Sequence, residues 1–142
     1  MTTLALLESA VLGRLRDAIP ATDLAVEPYP EKPADYCLLH PRGVLLVFMR
    51  ESRYGGYSNG AMRRTTRFVV TLLLRNFREY QPAYAWIDTV RGLLFGYAPD
   101  GWQPIQPISE QFVNEESGVW QYDLLFETDC LTASQFNLCS FN

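Results

Sequence analysis

The chain has 142 residues, 48% of them hydrophobic and 20% charged, and a formal net charge of −4, which fits a single domain spanning 1–142 that buries a real core. No apolar run reaches the roughly 18–20 residues that cross a bilayer, and the start, Met1-Thr2-Thr3-Leu4 with Glu8 soon after, lacks the basic segment of a signal peptide. Neither a membrane partner nor export is expected.

Residues 3–19 have the spacing of an amphipathic helix, with Leu4, Leu7, Val11, Leu15 and Ile19 on one side, Thr2 or Thr3 as cap and Pro20 as stop. Leu24–Glu27 and Tyr36–Leu39 read as short strands either side of a proline-rich stretch. Val44–Met49 is a continuous apolar run, too short for a helix and suited to a strand buried on both faces. Residues 52–61 read as a glycine-rich polar loop, and Arg63–Arg75 as a long strand that pairs back on 43–51 as a hairpin with a projecting tip. Pro82–Gly96 predicts a second helix with Ile87, Val90 and Leu94 inward. Residues 103–113 form a proline-interrupted edge strand, Asn114–Gly118 a turn and Val119–Asp129 a final strand. Residues 130–142 are expected as a C-terminal tail.

The fold class that follows is α+β, in the order α-β-β-β-α-β-β: a mostly antiparallel sheet of about five strands with both helices on one face. The other face then lacks helical cover, although its strand residues are fairly apolar, and this points to a partner.

The residues that chemistry requires are missing. A nuclease site with this element order needs an acid, then an acid and a lysine two apart, on consecutive strands; the only lysine is Lys32, in the proline-rich loop. His40 is the only histidine, and no nucleophile motif accompanies it. Cys37, Cys130 and Cys139 match no metal spacing. Gly55-Gly56-Tyr57-Ser58-Asn59-Gly60 lacks the Gly-Lys-Ser/Thr of a phosphate loop and reads as a flexible hairpin tip. No catalytic residue, cofactor or metal is expected.

Charge is distributed in blocks: net −3 over residues 1–41, +6 over 42–91 with nine arginines, and −7 over 92–142, which has no basic residue. Arg50, Arg53, Tyr54, Tyr57, Arg63, Arg64 and Arg67 mix arginine with aromatics around the hairpin. That composition suits a nucleic-acid groove, but arginine and tyrosine with almost no lysine, in an acidic chain, suits a protein interface better. Glu115, Glu116 and Asp123 in the acidic third offer the complement on another copy, a head-to-tail contact that closes into a ring where the rotation permits.

Four features together resemble the tail terminator (tail-completion) proteins of Mu-like and related long-tailed phages: the length, the opening helix Leu4-Ala5-Leu6-Leu7-Glu8-Ser9-Ala10-Val11, the arginine-bearing hairpin 43–75, and helix 82–96 followed by two closing strands. The resemblance implies a six-membered ring on the last ring of the tail tube that stops polymerisation and joins the neck (head-completion) protein. In contractile tails it also implies contact with the sheath. DNA would be only cargo passing through the ring, and the place of action would be the tail–neck junction of the virion, after assembly in the host cytoplasm. The hairpin would reach a neighbour or the tube, and the tail with Phe136 and Phe141 would dock on the sheath or neck. Another neck or adaptor ring, and a nucleic-acid-binding regulator using the arginine hairpin, stay open as alternatives.

Overall fold

The computed structural model describes residues 3–32, 36, 38, 40–75 and 82–133. Helix α1 (Leu4–Ala18) is followed by strands β1 (Ala25–Pro28), β2 (Gly43–Ser58) and β3 (Ala61–Arg75). Helix α2 (Pro82–Leu94) and strands β4 (Gln106–Glu116) and β5 (Val119–Ala133) complete the order α-β-β-β-α-β-β. The strands form one sheet in the order β1-β2-β3-β5-β4. It is antiparallel except for the parallel pair β1–β2.

Thr3 caps α1, its Oγ1 accepting from the Leu6 N–H at 3.2 Å. Leu7, Val11 and Leu15 are fully buried, and Ile19 nearly so. From α2, Ala83, Ile87, Val90 and Leu94 join the same cluster. The sheet contributes alternate residues: Leu45 and Val47 of β2, Phe68, Val70, Leu72 and Leu74 of β3, and Leu124 and Phe126 of β5. Period 3.6 in the helices meets period 2 in the strands on one face, so both helices pack on the same side of the sheet. The two helices also touch directly through Arg14, whose Nε donates to Leu93 O at 2.9 Å.

Three expectations are corrected. Tyr36 and Leu38 belong to no strand, while Cys37 and Leu39 lie outside the described residues. Residues 52–58 and 61 are strand rather than loop, and only Asn59-Gly60 turns the chain. Both take positive φ, 50° and 81°, the conformation of the two-residue hairpin turn that follows strand twist. The final strand also runs on to Ala133, into the segment expected as a tail.

The helix-free face is less bare than its composition suggests. Leu46, Val69 and Thr71 are each 3% exposed and Val44 is fully buried. Described residues after β1 lie against this face. Tyr29 packs on Phe48 with ring centroids 4.6 Å apart, and Arg75 donates to the carbonyl oxygens of Leu38 and His40. His40 itself is structural: Nδ1 accepts from the Arg42 and Gly43 N–H groups, and Nε2 donates to Ala21 O at 2.7 Å.

Gly43 begins β2 where the backbone of β3 leaves no room for a side chain. A Cβ there would lie 2.3 Å from Leu73 O and 2.9 Å from a Leu74 methyl. The carbonyl belongs to a paired strand and cannot swing away. Gly43→Ala is therefore expected to cost at least about 2 kcal/mol, read as a lower midpoint in urea unfolding at unchanged slope.

Candidate assembly interface

The distal half of the hairpin is a three-stranded structure. β5 accompanies β3 to the tip, with Ala61 opposite Ala133, so the arginines of β2 and β3 sit beside the acids of β5. On the helix-free face the pairing aligns Glu51, Arg67 and Glu127 in one row, Arg53, Thr65 and Asp129 in the next, and Gly55, Arg63 and Leu131 in the third. Arg67 Nε meets Glu127 Oε1 at 3.0 Å, and Arg53 Nε meets Glu51 Oε2 at 3.0 Å. The Arg53 guanidinium, hydrogen-bonded to Glu51, holds that carboxyl below the usual carboxylate range.

This arrangement neutralises much of the charge separation in the sequence. The basic middle and acidic end are neighbours within one molecule, so the arginines available to a partner are fewer than the sequence suggests. Arg50, at the register shift between Met49 and Glu51, and Arg63, near the tip, are exposed and make no hydrogen bond or ion pair among the described residues. Double-mutant analysis of Arg67→Ala and Glu127→Ala is expected to give a coupling of about 0.5–1 kcal/mol that shrinks with added salt, since both side chains keep solvent contact.

On the helix side of the tip the chemistry changes. Ser52 and Thr66 share a 2.8 Å hydrogen bond between their hydroxyls. Arg64 donates to Ser52 at 3.3 Å and lies 5.6 Å from the Tyr54 ring centroid. The guanidinium thus lies within cation–π range of a ring that is 55% exposed. Beneath them Thr128 donates to Gln103 O at 2.6 Å, and Cys130 is a buried free thiol whose pKa burial pushes up.

The other residues expected at an interface are spread over the molecule. Asp123 accepts from the Thr71 hydroxyl at 2.9 Å on the middle of the helix-free face. Glu115 and Glu116 end β4, at the opposite end of the sheet from the hairpin tip, and Glu115 accepts from the Gly118 N–H at 2.8 Å in the β4–β5 turn. Tyr57 lies on β2, and Phe136 and Phe141 lie outside the described residues. One feature was missed in the sequence: the exposed apolar side chains of β4, namely Ile108, Phe112 and Val113 at 40%, 49% and 39%. Their signal is an apolar pair, Phe112-Val113, inside a segment that already read as an edge strand.

Among the described residues no group of three or more His, Cys, Asp or Glu side chains is placed to hold a metal ion. No described helix is long and apolar enough to cross a membrane.

The sequence model of the Gp37 protein family matches residues 11–138, from the middle of α1 to beyond β5. The chain belongs to the Gp37 protein family. This Gp37 member shares its fold with a chain in the virion of a native gene transfer agent particle, at a TM-score of 0.64 and 17% identity, covering 93% of this chain and 100% of that one. A second solved structure matches at a TM-score of 0.57 and 15% identity, over 92% of this chain and 96% of that one. No curated protein matches the sequence significantly. The resemblance to phage tail proteins read from the sequence accords with the family and with the virion chain.

Proposed function

We propose that this chain is a structural virion protein, the subunit of a ring that caps the phage tail tube, stops its polymerisation and offers the joining surface to the neck. Six copies per ring, and contact with a sheath in contractile tails, follow from the sequence resemblance. The observation that carries the reading is the full-length correspondence in fold with a virion chain, combined with Gp37 family membership. The hairpin β2–β3 supplies a contact to neighbour or tube through Arg50, Arg63 and Tyr54. The role is one of assembly and involves no reaction.

The nucleic-acid reading loses support from the ion pairs of Arg53 and Arg67, because a groove for phosphates would hold those guanidinium groups free. The test is tube assembly from purified tail tube protein of the same phage with increasing amounts of this protein, followed by electron microscopy. The expected result is short tubes bearing a ring of density at one end. Unchanged tube lengths and bare ends at every ratio would overturn the proposal, and salt-sensitive binding to duplex DNA in their place would revive the regulator.

A further inference from the structure

Besides the short outer edge of β1, two longer strand edges are covered by no described strand. β1 pairs with β2 only as far as Val47, so the outer edge of β2 from Phe48 to Ser58 has no partner strand among the described residues. At the other side β4 is last in the sheet, and every residue of it except Pro107 is exposed. Unpaired backbone N–H and C=O groups along such an edge are a template for another strand.

Charge selects which edges meet. β4 carries Glu110, Glu115 and Glu116 and no basic residue, whereas the free part of β2 carries Arg50 and Arg53 against Glu51, a net +1, with Arg64 behind it on β3. Joining β4 to a second β4 would bring like charges together, which destabilises a strand pair. Direction agrees. β2 runs opposite to β4 within the sheet, so copies placed side by side around an axis along the strands meet antiparallel, the more stable arrangement.

We propose that β4 of one copy pairs with the outer edge of β2 in the next, residues 109–112 opposite 52–55; this rests on the ring reading above. Both segments are the regular stretches between register shifts, which fall at Pro107/Ser109 and Phe112/Asn114 in β4 and at Met49/Glu51 and Gly55/Ser58 in β2. Faces match as well. Glu110 and Phe112 are aligned with Leu124 and Tyr122, whose face is also that of Tyr54 and Ser52. Tyr54 then faces the neighbour's Glu110, whose carboxylate stands 3.9 Å from Arg91 of its own chain, with Arg64 one strand behind as a second cation, and Ser52 faces Phe112. On the helix-free face Arg53 lies opposite Gln111.

The stagger this demands is what a closing sheet adopts. Through Leu124, Glu110 is level with Val70 of β3, and Tyr54 is level with Arg64, six residues further along the sheet. Six residues rise about 20 Å, and the four strand spacings from one β4 to the next copy's β4 span about 19 Å. The slope is about 45°, at the steep end of the roughly 35–45° strand tilt of closed barrels.

The test uses the full chain with Cys37→Ser and Cys139→Ser, carrying Arg53→Cys with Gln111→Cys, oxidised on capped tubes and run on a non-reducing gel. Opposed strand residues have Cβ atoms about 4.5–5.5 Å apart, close to disulfide reach. The expected result is a ladder in steps of 16.2 kDa, absent from either single variant, and the same ladder from Tyr54→Cys with Glu110→Cys on the other face. A dimer from Gln111→Cys alone would mean that β4 meets β4, and a covalent adduct with the tube protein would mean that this edge serves the tube; either overturns the proposal. Capped tubes without a ladder from either pair would overturn the edge pairing and leave the ring reading standing. Failure of the unsubstituted protein to cap would remove both.

Discussion

Phe68→Ala is expected to lower the free energy of unfolding by about 3–5 kcal/mol. Phe68 sits at the centre of β3, fully buried, with its ring stacked on that of Phe126 at 5.5 Å between centroids and 19° between planes. It is a central member of the cluster that both helices share with the sheet. Truncation removes the transfer energy of the ring and leaves a cavity that paired strands cannot collapse to fill. Against a total stability of about 5–15 kcal/mol for ordinary domains, the loss is large. Urea denaturation followed by circular dichroism measures it. A loss below about 1 kcal/mol would mean that this site relaxes freely, contradicting a core held by β2–β3–β5 pairing.

The second large effect concerns assembly. Arg50→Glu combined with Arg63→Glu is expected to weaken tube capping by at least about 100-fold, equivalent to about 2.7 kcal/mol, because charge reversal at a complementary contact replaces attraction with repulsion. Folding stability should move by no more than about 0.5 kcal/mol, since both side chains are exposed and make no hydrogen bond or ion pair among the described residues. Arg67→Glu is the informative contrast. It would place three carboxylates in the row Glu51–67–Glu127, and its effect should appear first as lost stability. Capping is scored as the concentration that halves tube length, and folding by urea titration of the same preparations. Normal capping by the Arg50/Arg63 double variant would exclude the hairpin as the tube or neighbour contact.

The sequence read most reliably where the signal was local. The buried residues of α1 and α2 recur at 3.6-residue spacing, and Trp120, Tyr122, Leu124 and Phe126 alternate along β5, so both helices and the main strands are legible in the sequence. The turn at Asn59-Gly60 was also a local signal, but Gly55-Gly56 and the polar residues around it disguised the surrounding strand as loop. In β2 Gly55 is held in the sheet opposite Arg63 of β3, and Gly56 falls in the register shift that follows; that pairing is a tertiary cause.

The candidate interface divides in the same way. Legible in the residues alone are an arginine-rich centre, an acidic end, an edge-strand segment containing Phe112-Val113, and the family likeness that the Gp37 match supports. Which arginines remain available follows from the folded strand pairing alone. Arg67 and Glu127 are sixty positions apart in the chain and 3.0 Å apart in space. β3 and β5 become neighbours because their alternating apolar faces must share one core beneath the helices. The partners of their opposite faces then follow from strand register, which no local reading of charge can supply.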